Sequence, residues 1–120
     1  METLIPAEAR ALCHVDEILD GQARGFPPAP GGFNGLVAWR MGSNVRVFVN
    51  ACPHIGTPLD WMPDKFMDKG GKHLICATHG AAFVPLTGEC ILGPCKGDYL
   101  ETVATEIKDG MIYVASDAGL

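Results

Sequence analysis

Two short stretches, Cys52-Pro53-His54-Ile55-Gly56 and Cys76-Ala77-Thr78-His79-Gly80, restrict this chain more than anything else in it. Each offers one thiolate and one imidazole, one residue apart in the first and two in the second, so each makes a tight loop presenting two metal ligands. Between His54 and Cys76 lie 21 residues. A structural zinc site usually draws a Cys pair from one element and a His pair from another, or uses cysteines throughout. Here each loop carries both chemistries. That layout suits a binuclear centre, in which the Cys of each loop serves one metal ion and the His of each loop serves the other. Zinc held by the same four residues in an interaction module remains the competing reading, and colour separates the two, because zinc is silent in the visible.

The segments around these loops read as strands. Leu36 to Arg40 and Val45 to Asn50 are β-rich runs joined by Met41-Gly42-Ser43-Asn44, a hairpin signal, and the second run delivers the chain to Cys52. In it Val45, Val47 and Val49 alternate with Arg46 and Phe48, which predicts one aliphatic, inward face. Leu74 to Cys76 enters the second loop and Phe83 to Pro85 leaves it. Ala11 to Ile18 reads as an opening strand closed by Asp20-Gly21, and Glu101 to Ile107 with Met111 to Ala115 as a final hairpin around Lys108-Asp109-Gly110. Gly25 to Gly35, with four glycines and three prolines, reads as a surface loop. Between Thr57 and Lys72 the charges of Asp60, Asp64, Lys65, Asp68 and Lys69 suit a helical turn after Pro63. In that stretch Trp61, Met62, Phe66 and Met67 are expected to cover the metal loops. Short strands, Gly/Pro turns and almost no helical periodicity imply an all-β antiparallel sandwich or barrel.

Taken together, Cys52-x-His54, Cys76-x-x-His79, Gly56 and the run Gly80-Ala81-Ala82-Phe83 resemble the Rieske [2Fe-2S] iron-sulfur domain family, in particular its small soluble ferredoxins. Leu86-Thr87-Gly88-Glu89 resembles the turn leaving the second cluster loop, and Gly93-Pro94 the family's third, proline-bearing loop; residues 10 to 116 fit the pattern. The resemblance implies an antiparallel base carrying a small cluster-binding subdomain of about residues 50 to 96, all within one domain spanning 1–120. It implies one [2Fe-2S] cluster, with Cys52 and Cys76 on one iron and His54 and His79 on the other. Neutral imidazoles leave such a centre less negative than four thiolates and raise its potential, and their outer nitrogens link electron uptake to proton uptake. High-potential members carry an extra cysteine in each loop and Ser and Tyr hydroxyls beside the cluster. This chain has Thr57 and Thr78, and Ala81 and Phe83, at the matching positions, which implies a low-potential centre.

The function implied is a soluble electron carrier between a flavin-type ferredoxin reductase and a terminal oxygenase or related metalloenzyme, with no catalytic residues of its own. A Rieske subunit of a multicomponent oxygenase is the alternative. Only His14 and His73 remain for a mononuclear iron, which needs two histidines and a carboxylate. The net charge of −5 comes without any basic run, which gives no footprint for nucleic acid or anionic lipid. No apolar stretch approaches the ~20 residues of a membrane span, and Met1-Glu2-Thr3-Leu4 does not open an export signal, so a cytoplasmic protein is expected. Five cysteines leave Cys13, Cys90 and Cys95 outside the ligand set. An odd remainder in a reducing compartment argues for thiols rather than bridges, with Cys13 expected in the core. Cys90 and Cys95 are close enough in sequence to invite a disulfide, but sequence proximity does not set the Cα separation a bridge requires.

Overall fold

The computed structural model describes residues 9–26, 35–51, 53, 59, 66–67, 72–76 and 80–115. The chain forms strands β1 (Ala9–His14), β2 (Ala23–Phe26), β3 (Leu36–Met41), β4 (Asn44–Val49), in which valines alternate with other residues, and β5 (Leu74–Cys76). They are followed by β6 (Ala81–Phe83), β7 (Cys90–Leu92), β8 (Thr102–Val103), β9 (Thr105–Lys108) and β10 (Met111–Ala115). These pair into three antiparallel sheets, ordered β1-β10-β9, β2-β3-β4-β8 and β5-β6-β7. The expected all-β antiparallel class is the one found, and no helix among the described residues is long and apolar enough to cross a membrane.

Turn chemistry fixes the local pairings. In the β3–β4 hairpin Met41 faces Asn44, and Gly42, at φ 60°, supplies the positive φ that a two-residue turn needs. The β9–β10 turn places Asp109 at φ 53° and Gly110 at φ 80°, and a side chain at Gly110 would run into the His14 ring. Four expectations change. The opening strand stops at His14, where a reciprocal cap starts a 3-10 turn, Val15–Glu17. The Asp16 N–H donates to His14 Nδ1 (3.2 Å) and the His14 N–H to Glu17 Oε2 (2.9 Å). Gly25 and Phe26, read as loop, belong to β2, because Arg24 to Phe26 find partners in Ala38 to Leu36 of β3. The run Glu101 to Ile107 is two strands: Thr102 and Val103 pair with Phe48 and Val47, after which the chain passes Ala104 and Thr105 to Lys108 pair with β10. Finally, Phe48 is as buried as its valine neighbours.

That last point reflects a strand covered on both faces. Val45, Val47 and Val49 pack with Leu36, Ala38, Ile18, Cys13, Ile112 and Val114 on one side. Phe48 packs with Val37, Trp39, Leu100, Phe83, Leu59, Phe66 and Cys76 on the other. The second core joins the four-stranded sheet to the small sheet β5-β6-β7. Cys13 is buried in the first core as expected, and burial pushes its thiol up, with the Glu17 charge acting in the same direction. Phe66 is fully buried and Met67 packs against the second core, as expected of a cover for the metal loops, whereas Trp61, Met62 and the proposed helical turn after Pro63 lie outside the described residues.

Between β4 and β8 the chain makes one excursion and returns to its starting point. The Val49 N–H donates to the Glu101 carbonyl (2.9 Å), so the residues leaving and re-entering the sheet are bonded neighbours. On the way back, the Gly88 N–H donates to the Val84 carbonyl (2.6 Å) and the Leu100 N–H to the Gly88 carbonyl (2.8 Å). Gly88 holds φ 79°, and a Cβ there would stand 2.9 Å from Phe48 Cε1. Gly88→Ala therefore combines a left-handed backbone with overpacking of the buried Phe48 ring, and is expected to cost about 1–3 kcal/mol in urea unfolding; an unchanged midpoint would contradict this packing.

Candidate metal centre

Of the four candidate ligands the structure describes Cys76; Cys52, His54 and His79 lie outside the described residues, as do Thr57 and Thr78. Cys76 is the last residue of β5 and is paired with Ala81, the first of β6. The Gly80 N–H donates to the Cys76 carbonyl (2.8 Å), and Gly80 turns the chain at φ 71°. This closes a hairpin whose connecting residues 77–80 include His79. A side chain other than glycine would be strained at that φ. On its other edge β5 is held by the Ile75 N–H donating to the Phe66 carbonyl (2.7 Å) and by the Met67–Leu74 bridge. The strand carrying Cys76 is thus bonded on both sides.

The first loop starts where β4 ends. The Ala51 N–H donates back to the Val49 carbonyl (2.8 Å), bending the chain, and the Asn50 N–H donates to the Gly35 carbonyl (2.9 Å). Asn50 then spans the loop: its Oδ1 accepts the Leu59 N–H at 2.8 Å. The eight residues between Asn50 and Leu59 include Cys52 and His54. Leu59 is fully buried in the same core as Cys76, Ala81 and Phe83, so the far end of the first loop and the base of the second share one packing unit. In the sequence Asn50 only ends the run that delivers the chain to Cys52; its side-chain brace depends on a residue nine positions away and carried no local signal.

The third loop, Gly93-Pro94, closes on the same place. A Cβ at Gly93 would lie 2.7 Å from Ala81 Cα, so only glycine allows this approach to the second motif. Ala81 and Phe83 are both wholly buried. Of the two other histidines, His14 caps the 3-10 turn and His73 is half-buried before β5. Among the described residues no three His, Cys, Asp or Glu side chains come together as a metal site.

Residues 9–113 match the Rieske [2Fe-2S] domain. The chain belongs to this family. Solved structures agree on the fold. A chain from the complex of reduced oxygenase and oxidized ferredoxin in carbazole 1,9a-dioxygenase superposes with TM-score 0.72 at 24% identity, covering 96% of this chain and 99% of its own. The ferredoxin of carbazole 1,9a-dioxygenase from Nocardioides aromaticivorans IC177 gives 0.71 at 20% identity, with 91% and 98% covered. A Sphingomonas yanoikuyae B1 ferredoxin gives 0.64 at 27% identity, with 88% and 95% covered. No curated protein sequence matches.

Cys76, the candidate ligand that the structure describes, fits the family's cluster. A thiolate at Cys76 would sit at the end of a rigid strand, in a core lined by Leu59, Phe66, Ala81 and Phe83. An apolar surround of this kind limits water access to a metal–sulfur centre and influences its potential. The Asn50 brace gives a direct test of how the first motif is held. Asn50→Ala leaves the buried Leu59 amide without its acceptor, which should cost about 1–3 kcal/mol; hydrogen exchange at Leu59 should accelerate, and exchange at Ile112 should change only in step with global stability.

Proposed function

We propose that this protein is a soluble, low-potential Rieske-type ferredoxin that carries single electrons from a flavin-type reductase to a terminal oxygenase or related metalloenzyme in the cytoplasm. The observation that carries the reading is the family match, which includes both Cys-x-His and Cys-x-x-His motifs within residues 9–113. Ferredoxin chains are also matched along nearly their whole length, and one of them comes from a complex with its oxygenase. The domain is read as 1–120, with about residues 50–96 carrying the centre.

In this reading Cys52 and Cys76 hold one iron of a single [2Fe-2S] cluster, and His54 and His79 hold the other. The cluster supplies a one-electron couple. The chain's own contribution is positional: β5 and the Asn50 brace fix the bases of the two ligand loops, Gly80 allows the second to turn, and Gly93 lets the third loop lie against Ala81. Ala81 and Phe83 offer no hydroxyl to a sulfur atom. Without such donors the added negative charge of reduction is less stabilised, which places the potential toward the lower end of the Rieske range, roughly −150 mV.

Electron paramagnetic resonance of the dithionite-reduced protein, with redox titration, tests the assignment. Mixed Cys/His ligation gives a low average g value, and the midpoint should fall below zero. A colourless protein with stoichiometric zinc would overturn the cluster, while a midpoint well above zero would overturn the argument from Ala81 and Phe83. Ala81→Ser should then move the midpoint upward, by on the order of tens of millivolts if its hydroxyl reaches a sulfur.

A further inference from the structure

Cys90 and Cys95 lie outside the ligand set, and the fold brings them together. Their Sγ atoms are 3.0 Å apart and both residues are buried. The separation is about 1 Å more than the ~2.05 Å of a disulfide bond. The chain doubles back between them at Gly93, φ 100°, and again just beyond Cys95 at Gly97, φ 97°. Its backbone is fastened from both ends: the Cys90 N–H donates to the Asp98 carbonyl (2.8 Å), the Gly97 N–H to the Cys90 carbonyl (3.0 Å) and the Asp98 N–H to the Cys95 carbonyl (2.8 Å). The sulfur atoms therefore meet because the backbone holds them together.

We propose that Cys90 and Cys95 are a redox-active dithiol, a modification site that small-molecule disulfides convert into an intramolecular bridge. One thiolate attacks a sulfur of the oxidant, forming a mixed disulfide and releasing one thiolate. The second cysteine attacks the protein-side sulfur of that bond, forms the Cys90 Sγ–Cys95 Sγ bond and releases the other. Two electrons pass to the oxidant, and the two cysteine protons end on its two thiols. In the reduced form the Cys90 thiol is directed to the Leu92 carbonyl at 3.2 Å, a contact that bridging removes.

Access comes from the surroundings. Ile91, Leu92, Gly93, Pro94, Lys96, Gly97 and Asp98 are exposed, so a local opening of this short loop, which parts Cys90 and Cys95 from the second core, uncovers the sulfurs without global unfolding. Held proximity gives the second thiol a high effective concentration against the mixed disulfide, which favours the internal bridge over a stable adduct. The geometry is that of Cys90 and Cys95 themselves and does not depend on the cluster.

The test equilibrates the purified protein with graded ratios of reduced and oxidised glutathione, quenches in acid, alkylates the remaining thiols and maps them by mass spectrometry. The expected product lacks two hydrogen atoms, leaves Cys90 and Cys95 unalkylated, and outnumbers the dithiol by roughly 10-fold at about 1 mM each of reduced and oxidised glutathione. Cys90→Ser and Cys95→Ser each abolish that product. Full alkylation of both residues at the oxidising end, or a bridge from either one to Cys13, Cys52 or Cys76, would overturn the proposal.

Discussion

Strand β4 is covered on both faces, and the rest of the molecule follows from that. A strand exposed on one side needs a single core; β4 needs two, one around Val45, Val47 and Val49 and one around Phe48. The first is supplied by the terminal sheet β1-β10-β9. The second requires a separate layer, and the sheet β5-β6-β7 provides it with Leu74, Cys76, Ala81, Phe83 and Cys90. Fully burying Leu74 or Phe83 is worth about 1.5–3 kcal/mol each. The same packing that stabilises the central sheet therefore holds the strand bearing Cys76 in place.

Where the sequence was legible, the signal was local. Gly42 and the Asp109-Gly110 pair marked two hairpins because a tight antiparallel turn requires positive φ, which few residues tolerate. Leu74 to Cys76 stood out as a short apolar run entering the second motif. What escaped depended on distant partners. Ala23 to Phe26 becomes a strand only beside β3, in a stretch whose glycines and prolines suggested a loop. Phe48, on the polar side of an alternating pattern, is buried because another sheet arrives there. The passage from β8 to β9 at Ala104 has no punctuation in the sequence, since both halves are equally β-prone and differ only in which strand they meet.

The candidate site divides in the same way. The four candidate ligands were readable as donor chemistry and spacing; of these the structure describes Cys76, at the closed end of a hairpin. The supports were not readable. Asn50 acts through the amide of Leu59, and Gly93 through its approach to Ala81, contacts between segments that nothing short-range connects. Donor identity is written in side chains, whereas the bracing of donors is written in tertiary packing.

The excursion from Val49 to Glu101 leaves and rejoins the central sheet at two hydrogen-bonded neighbours. Adjacent antiparallel strands run about 4.8 Å apart. In topological terms the part that carries the candidate ligands is an insertion whose two ends almost coincide. Lengthening, shortening or exchanging its loops imposes no strain on the base, because the gap to be bridged stays one strand spacing wide. One platform can therefore carry tips of different length and surface, so that partner choice and redox tuning can diverge while the scaffold is inherited unchanged.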